Sequence, residues 1–347
     1  MTWSARKKNI EMLKKESGAF VFAPGARTSC ALLYPNVYGV GMSNLGFHII
    51  YRQMNQRGDI ACERFFLPAR EDGGREPPLS METQRKLADF PVIGIMLSFE
   101  LDYFNLLTML EDSGIPPAAA ERGDQAPLLF AGGPCATFNP EPLAEIVDAF
   151  VIGEGEEVVE AVVASWLLSR DWPDRLDRLK ALAQIPGVYV PAFYQPVYDG
   201  SGKLISMRHE PSAPAKIRRQ WVRDIDRYAG HYQIITSLTE FANMFVIEVA
   251  RGCGRHCRFC MAGYCFRRPR SRDLELVWRA ITERPAGAVK VGLLGAAVCD
   301  YPYIQELTGR LVRAAIPFSI ASLRADAFDA ALARALAASG QKTLTIA

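Results

Sequence analysis

The sequence predicts an α/β protein in which a doubly wound parallel sheet is followed by an incomplete (β/α) barrel. Three observations support this fold class: the chain has 347 residues, 49% of them are hydrophobic, and short apolar runs alternate with helical patterns. A chain of this length exceeds what one core usually supports, which favours two domains. Strands that read as continuous apolar runs are typical of parallel sheets covered by helices on both faces.

The first domain is predicted to span residues 1–170 and to repeat a strand–helix unit. A basic opening helix precedes a strand from Ala31 and a helix for which Ser43 is the predicted N-cap. The later strands of this domain are predicted in the runs CERFFLP, VIGIMLSF, LLFAGG and AFVIGEG, which begin at Cys62, Val92, Leu128 and Ala149. Helical patterns separate these runs, so the sheet is expected to be parallel and to end near Arg170.

Residues 171–240 are predicted to form a connector with a β-hairpin that turns at residues 199–202. A second βα series follows in residues 241–347. Its predicted strands are FVIEVA, VKVGLLGA, FSIASL and TLTIA. A closed barrel needs more strands than these four, so we expect this domain to be the N-terminal portion of a barrel and the chain to be truncated.

Charge and hydropathy narrow the class of protein. The chain has 40 Lys and Arg residues and 38 Asp and Glu residues, which gives a formal net charge of +2. A charge this small does not favour binding of the whole protein to nucleic acid or to a membrane surface. RNA as a substrate stays open. The N-terminus lacks an apolar signal region, and the apolar run from Val92 is too short to span a bilayer. We therefore expect a cytoplasmic protein without a membrane partner.

Four of the eight cysteines fall between residues 253 and 265, a distribution that favours metal binding over a disulfide framework. Cys253, Cys257 and Cys260 follow the pattern C-x3-C-x2-C. Three thiolates can hold three irons of a cubane cluster and leave the fourth iron open. Because Cys265 or His256 could supply a fourth ligand, a structural zinc site and a four-ligand cluster remain alternatives. The triplet follows an apolar strand, which predicts a loop at the carboxyl end of a barrel strand.

With an aromatic residue at Phe259, this stretch resembles the CxxxCxΦC signature of the radical S-adenosylmethionine (SAM) superfamily. The resemblance implies a [4Fe-4S] cluster whose open iron is chelated by the amino and carboxylate groups of SAM. One-electron reduction from a flavodoxin or ferredoxin-type donor would cleave SAM to methionine and a 5′-deoxyadenosyl radical. Phe259 would lie near the adenine of SAM, or it would shield the cluster as a hydrophobic plug.

Two further strand ends carry positions of the superfamily. Gly295 and Ala296 occupy the place of a Gly-Gly-Glu edge that presents backbone groups to SAM, although the Glu is missing here. The resemblance places Ser322 and Arg324, in the segment SLRAD, near the ribose and carboxylate of SAM. A surface ion pair of Arg324 with Asp326 is the alternative. The basic run FRRPRSR is expected to be a solvated loop with one or two arginines turned toward the cofactor or substrate.

Glycine-containing loops recur at strand ends of the first domain, where ligands of doubly wound sheets bind. The candidate cofactor-binding residues in these loops are Gly39, Gly41, Ser43, Gly132, Gly133, Gly153 and Gly155. Tight turns and helix starts are the alternative explanation for such loops. Glu154 and Glu156 are interpreted as a charge pair at a helix N-terminus rather than as catalytic acids.

The order of GGP, NPEPLAEI and GEGEE before a radical SAM barrel is similar to that in radical SAM proteins with a cobalamin-binding domain. The segments YPNVYGVGMSNLGF, TEFANMFVIEVARGCGRHCRFCMAGY and SLRAD resemble an uncharacterised bacterial family of that class, over nearly the whole chain. The resemblance implies a Rossmann-like cobalamin domain. No histidine follows an Asp by two residues, so cobalamin would bind base-off without a protein histidine, or the domain has lost it; His48 is interpreted as a packed residue.

The leading hypothesis is a cobalamin-dependent radical SAM enzyme that transfers a methyl group to an unknown substrate. One alternative is a radical SAM enzyme that uses only its cluster, as methylthiotransferases do. Another is an iron–sulfur or zinc-binding protein without turnover.

Overall fold

The structure is a computed structural model that describes residues 3–68, 76–321 and 323–346. The chain divides into two compact units. Unit 1 comprises Met1–Lys14, Phe20–Gly41 and Ile50–Val222, and unit 2 comprises Lys15–Ala19, Met42–Ile49 and Arg223–Ala347. The segment predicted to be a connector is therefore shared between the two units.

The strands are numbered in chain order. They are β1 (Glu16–Ser17), β2 (Thr28–Tyr34), β3 (Ile60–Phe66), β4 (Val92–Met96), β5 (Leu128–Gly132), β6 (Ala149–Val151), β7 (Val188–Tyr189), β8 (Tyr194–Tyr198), β9 (Leu204–His209), β10 (Ile235–Thr236), β11 (Met244–Glu248), β12 (Ala250–Arg251), β13 (Arg270–Ser271), β14 (Lys290–Leu294) and β15 (Phe318–Ile320).

The α-helices are numbered in the same way. They are α1 (Trp3–Leu13), α2 (Tyr38–Gly41), α3 (Leu45–Gln56), α4 (Asp102–Asp112), α5 (Pro134–Phe138), α6 (Val159–Leu168), α7 (Arg175–Ala183), α8 (Ala262–Cys265), α9 (Leu274–Thr282), α10 (Ile304–Arg313) and α11 (Ala330–Ala338). Within the described residues, no helix has both the length and the apolar character needed to cross a membrane.

Unit 1 is built on a six-stranded sheet in the order β3-β2-β4-β5-β6-β7. All neighbouring pairs are parallel except β6 and β7, which pair antiparallel through Phe150 and Val151. The first strand of the sheet, β2, lies between the second and the third, so the topological switch point falls between β2 and β4. The predicted doubly wound α/β fold is confirmed.

The core of unit 1 follows from the strand period of two. Ala31 and Leu33 on β2 and Ile93 and Ile95 on β4 lie on one face of the sheet, where they join a buried cluster with Leu106 of α4. Unit 1 also contains the hairpin of β8 and β9, whose strands pair antiparallel.

Short polar side chains cap the starts of two helices. Asn44, not the predicted Ser43, caps α3: its Oδ1 accepts a hydrogen bond from the Phe47 amide at 3.0 Å. Asp273 caps α9 by accepting from the Glu275 and Leu276 amides at 2.9 and 3.0 Å. Two adjacent residues that both favour capping left the boundary of α3 ambiguous in the sequence.

Unit 2 contains a three-stranded parallel sheet in the order β11-β14-β15, with α9 and α10 as the crossover helices. Helix α10 buries Ile304, Leu307, Thr308 and Leu311, which recur at the spacing of one helix face. This βα succession confirms the predicted incomplete barrel. The fourth predicted strand is not formed in full within the described residues, where TLTIA contributes one parallel bridge, from Ile346 to Leu323.

Candidate functional site

The cysteine-rich stretch forms a loop at the carboxyl end of β11, and a short antiparallel ribbon closes it. In that ribbon Ala250 of β12 pairs with Ser271 of β13, and Arg251 pairs with Arg270. All residues from 252 to 269 lie between the two ribbon strands. We call residues 252–269 the cysteine loop. Because the ribbon fixes both ends, the loop leaves and rejoins unit 2 at one place.

A buried carboxylate anchors this ribbon. Glu248, the last residue of β11, accepts from Arg251 Nε at 2.8 Å and from Arg272 Nη2 at 2.6 Å. Burial raises the pKa of Glu248, but the two guanidinium groups outweigh burial and hold the pKa below its usual value. Arg272 also donates to the carbonyls of Ile225 and Tyr228 at 2.6 and 2.8 Å.

The expectation that FRRPRSR is a solvated loop is therefore wrong for its last residue. Arg272 is 5% exposed and joins β13 to the preceding part of unit 2. Arg267 is also engaged, since its guanidinium contacts the Gly263 carbonyl and His256 Nδ1. The run contains residues that stabilise the cysteine loop.

The cysteine loop folds back on itself at two glycines. Gly252 has a φ of +83°, and a Cβ there would lie 2.0 Å from the Phe266 carbonyl oxygen. A Cβ on Gly263 would lie 2.0 Å from the Arg255 carbonyl oxygen. Any side chain at either position would collide with backbone, so the glycines allow the two halves of the loop to approach each other.

The three cysteines of the motif are free thiols on the outer part of this loop. Cys257 is exposed, and Cys253 and Cys260 are half-buried. A turn connects two of them, because the Cys260 amide donates to the Cys257 carbonyl at 3.0 Å. Across residues 3–68, 76–321 and 323–346, no three His, Cys, Asp or Glu side chains form a group that could hold a metal ion. The role of the three cysteines as metal ligands stays a prediction from their spacing. The role of Cys265 or His256 as an alternative fourth ligand also stays a prediction.

Apolar side chains on the same loop are exposed. Phe259 is 91% exposed, and Met261 and Tyr264 are about half exposed. None of the three belongs to the buried cluster that forms the core of unit 2. Exposed apolar groups beside partly exposed thiols are typical of surfaces that contact a ligand.

The end of β14 and the residue after it lie directly against the start of the ribbon strand β12, which leads into the cysteine loop. The Val249 amide donates to the Leu294 carbonyl at 2.9 Å, and a Cβ on Gly295 would lie 3.0 Å from the Ala250 carbonyl oxygen. Ala296 is exposed. Gly295 is thus a position of close backbone approach. Contact of Gly295 and Ala296 with SAM remains a prediction.

Asp300, after β14, is a residue that the sequence analysis missed. Its carboxylate contacts the guanidinium of Arg324 and lies 3.4 Å from Arg255 in the cysteine loop. Arg324 also pairs with Asp326, the alternative considered for it from the sequence. Asp300 therefore joins three loops at the carboxyl ends of β11, β14 and β15. Ser322 lies outside the described residues.

In unit 1, the loops after β2 and β4 meet at the switch point. Asn36 Nδ2 donates to Asp102 Oδ1 at 2.7 Å. Burial raises the pKa of Asp102, and hydrogen bonds from Asn36 and Asn105 partly oppose that effect. The same loops and the start of α4 expose several large apolar side chains, namely Val37, Val40, Phe99, Leu101 and Phe104. We call these five residues the switch-point apolar patch.

The loops after β4, β5 and β6 are held together by hydrogen bonds from backbone amides. The Cys135 amide donates to the Leu97 carbonyl at 3.2 Å, and a Cβ on Gly133, whose φ is +104°, would lie 2.6 Å from that oxygen. The Gly153 amide donates to Thr137 Oγ1 at 3.1 Å. These loops occupy one edge of the sheet, as their positions at strand ends predict.

Packing within unit 1 explains most of the glycines that were predicted to bind a cofactor there. A Cβ on Gly153, whose φ is +111°, would lie 2.1 Å from the Gln220 carbonyl oxygen. A Cβ on Gly41 would lie 2.5 Å from the Phe66 ring, and one on Gly155 would lie 3.2 Å from Val159. Gly39 lies in α2, and Gly132 ends β5 with only an ordinary contact to Val151 at 3.9 Å. Their binding of a cofactor stays a prediction.

Ser43 lies in unit 2, where its carbonyl accepts from the Tyr232 hydroxyl at 2.7 Å. His48 is packed in the same unit and is 1% exposed. Its Nδ1 accepts from the Gln233 and Ile234 amides at 3.2 and 3.3 Å, which requires the proton on Nε2, 2.9 Å from the Met42 carbonyl. Both ring nitrogens are therefore used within unit 2.

Glu154 and Glu156 of GEGEE are buried rather than exposed at a helix end. Glu154 is 7% exposed and Glu156 is 6% exposed. Glu154 Oε2 accepts from the Val222 amide at 2.8 Å, and the Glu156 carbonyl accepts from Gln53. Helix α6 begins later, at Val159, so the interpretation of a helix N-terminal charge pair is wrong.

A doubly wound sheet in one unit and a βα series with a C-x3-C-x2-C loop in the other define a two-part α/β protein with a candidate cluster site. Residues 46–191 match the sequence model of a family described as radical SAM proteins, N-terminal. This match covers β3 to β7 of the unit 1 sheet and does not reach the cysteine loop.

Two known proteins cover nearly the whole chain. An uncharacterised protein of Methanocaldococcus jannaschii is 30% identical over 321 residues, which are 91% of this chain and 59% of that protein. The radical SAM methyltransferase TsrM from Kitasatospora setae, solved with cobalamin and a [4Fe-4S] cluster bound, matches with a TM-score of 0.52 and 16% identity over 92% of this chain and 60% of that one. The chain thus spans about three fifths of the length of both.

Proposed function

We propose that this protein is a radical SAM enzyme that cleaves SAM reductively at a [4Fe-4S] cluster held by Cys253, Cys257 and Cys260. The observation that carries the proposal is the cysteine loop itself. It presents three thiols, half-buried or exposed, at the carboxyl end of the first strand of a parallel series, where sites of (β/α) barrels form. The family match supports the same chemistry.

The donor set fits an iron–sulfur cluster with one open iron. Thiolate sulfur is the ordinary ligand of such clusters, and three thiolates leave one metal position for a further ligand. When bound, the cluster supplies the electron that cleaves SAM. The Glu248–Arg272 ion pair holds the base of the loop, and the Arg255–Asp300 contact holds its outer part against the loop after β14.

We further propose that unit 1 binds cobalamin at its switch point and that the reaction is a methyl transfer. The apolar patch at the carboxyl ends of β2 and β4 suits a corrin ring, and TsrM, which shares the fold, was solved with cobalamin. The sole histidine of unit 1 is His209, on the exposed hairpin strand β9. The binding mode proposed is therefore base-off without a histidine ligand from unit 1.

The proposal includes a flavodoxin or ferredoxin-type electron donor and a cytoplasmic location. Both follow from the chemistry, because a reductively cleaved cofactor needs a low-potential donor and free cysteines persist in reducing compartments. The substrate is left open.

The test uses the full chain, reconstituted anaerobically with iron and sulfide and then reduced with dithionite in the presence of SAM. Wild type should form 5′-deoxyadenosine, and Cys257→Ser should lose at least about 100-fold of that activity because a cluster with only two protein thiolates is not retained. Cys265→Ser, in the same loop but outside the motif, is the matched control and should retain iron. Equal loss of iron in both variants would disprove the three-cysteine assignment.

A separate titration tests the cofactor of unit 1. Hydroxocobalamin should bind with a change in its visible spectrum, and Phe99→Asp in the switch-point apolar patch should weaken that binding. A protein that cleaves SAM but retains no cobalt would leave the cluster proposal standing and remove the cobalamin proposal.

A further inference from the structure

A cavity of about 490 Å³ in unit 1 is lined by eight residues that the proposed chemistry does not use. One wall is α1, and the other is the turn between Leu79 and Asp89. The lining residues are Arg6, Lys7, Ile10, Thr83, Gln84, Arg85, Lys86 and Asp89. The volume falls within the range of about 300–1,000 Å³ that is typical of small-molecule sites.

The two walls are joined by the side chain of one residue. Asn9 on α1 donates from Nδ2 to the carbonyls of Leu79 and Ser80, at 3.1 and 3.3 Å. Asn9 is flanked along the helix by the lining residues Lys7 and Ile10. The two hydrogen bonds therefore fix the helix face that carries the basic side chains against the turn.

The turn itself is held by several internal hydrogen bonds. Leu79 and Lys86 form an antiparallel bridge, and inside it the Ser80 amide donates to the Arg85 carbonyl at 3.0 Å while the Arg85 amide donates to Ser80 Oγ at 3.0 Å. Gln84 adopts a left-handed φ of +54° at the tip, and its side chain donates to the Met81 carbonyl at 2.7 Å. Such a turn places its side chains with little conformational freedom.

Arg85 is held in place before any ligand binds. Its Nη1 donates to Ser29 Oγ at 2.6 Å, its Nη2 donates to the Asp89 carbonyl at 3.0 Å, and its guanidinium lies 4.5 Å from the centre of the Phe90 ring. A guanidinium has five N–H donors, so these two bonds leave three for a ligand. A planar donor group fixed in this way suits a phosphate oxygen.

The charge of the lining is strongly positive. It has four cationic side chains and one carboxylate, whereas the whole chain is nearly balanced at +2. Arg6, Lys7 and Lys86 are exposed, and within the described parts of the chain none of the three has a carboxylate at ion-pair distance. Four converging cations with one opposing charge repel one another, and a multivalent anion would relieve that repulsion.

We propose that this cavity binds a small polyphosphate anion, with Arg85 as the fixed donor and Arg6, Lys7 and Lys86 as the mobile ones. A single inorganic phosphate would neutralise too little of the charge and fill too little of the volume. The site is independent of the proposed radical chemistry, so its occupancy can be measured without SAM, iron or a reductant.

The test is calorimetric titration of the full chain with sodium tripolyphosphate in 50 mM salt. Wild type should bind saturably, and the double variant Arg6→Gln, Lys7→Gln should bind at least about tenfold more weakly because two charge-assisted contacts are lost. Lys86→Gln should show a smaller loss in the same direction. Raising the salt to 300 mM should weaken wild-type binding through screening.

The matched control is Lys203→Gln, which removes one exposed lysine from the β8–β9 hairpin of the same unit and should bind like wild type. Thermal unfolding of each variant checks that the fold is kept, as expected for exposed positions. Absence of saturable binding to wild type, or equal binding by all variants, would overturn the proposal. Binding of a 12-nucleotide RNA without binding of tripolyphosphate would also overturn the proposal. That result would assign the surface to nucleic acid instead.

Discussion

The glycine loops of unit 1 and the cysteine loop of unit 2 were both predicted to bind cofactors, but their residues have different relations to the fold. Gly133 and Gly153 have positive φ angles, and a Cβ at either would collide with a backbone oxygen. Cys257 and Phe259 are exposed and lie outside the core of unit 2. Folding requires the glycines, whereas folding gives no reason for an exposed thiol and an exposed aromatic ring.

This difference shows which residue types carry information about a ligand. A glycine that a turn needs would be present with or without a cofactor, so its presence favours neither. Phe259, Met261 and Tyr264 are three large apolar side chains exposed on one loop, and such a group favours contact with a partner or ligand. Substitutions at the glycines should therefore change the stability of the fold, whereas substitutions in the cysteine loop should change ligand binding.

The largest effect is expected for Gly153→Ala. The substitution forces a side chain into the left-handed region and against Gln220, and we expect the free energy of unfolding to fall by more than about 3 kcal/mol. Gly25→Ala is the control, because Gly25 also has a positive φ, +79°, but nothing lies within 4 Å of its Cβ position. Its cost should be about 1 kcal/mol. Urea unfolding followed by circular dichroism measures both; equal costs would show that Gly153 is not required by packing.

A somewhat smaller effect is expected for Glu248→Gln at the base of the cysteine loop. Removing this carboxylate leaves the buried Arg272 with the more distant Asp226 carboxylate, at 3.8 Å, as its ion-pair partner, which should cost about 3 kcal/mol at pH 7. Because the pKa of Glu248 is lowered in the folded protein, its contribution is present above the usual glutamate pKa and is lost as the pH falls through the folded value.

The difference in stability between wild type and Glu248→Gln should therefore shrink below about pH 4.3. Urea midpoints measured between pH 7 and pH 3 check this dependence. A difference that stays constant with pH would mean that the cost comes from packing alone. A pH-dependent difference would show that the ion pair at the base of the cysteine loop stabilises the fold, as the glycines of unit 1 do.

The sequence predicts the fold class well because burial of parallel strands leaves a direct trace in it. Runs such as those at Val92 and Leu128 are apolar on both faces, and both became inner strands of the sheet. The edge strand β7 has only two residues, Val188 and Tyr189, and so few residues show no period. TLTIA was misassigned for a related reason: an apolar β-branched run permits a strand but does not supply a neighbour.

The site was predictable in its cysteines and much less so in its supporting contacts. The spacing of Cys253, Cys257 and Cys260 is local and can be read directly. Glu248 and Arg272 are separated by 24 residues, and Asp300 and Arg324 are also 24 residues apart. Ion pairs over such separations depend on how strands and loops meet in three dimensions, which no local pattern encodes. Asp300 had no motif to mark it.

The smallest effect on stability is expected for Phe259→Ala. The ring is 91% exposed, so the free energy of unfolding should change by less than about 0.5 kcal/mol. Phe245→Ala, at a residue 1% exposed in β11, is the control and should cost about 3–5 kcal/mol.

The same variant separates the two roles considered for the ring. If Phe259 stacks on the adenine of SAM, Phe259→Ala should keep its iron and bind SAM about threefold to tenfold more weakly, the ordinary worth of one aromatic contact. If the ring shields the cluster instead, SAM affinity should be kept while the reconstituted cluster is lost faster in air. Equilibrium dialysis with SAM and the decay of the cluster absorbance measure the two outcomes independently. A variant unchanged in both would remove the reason for an exposed aromatic at this position, and with it the inference that exposure marks a ligand contact here.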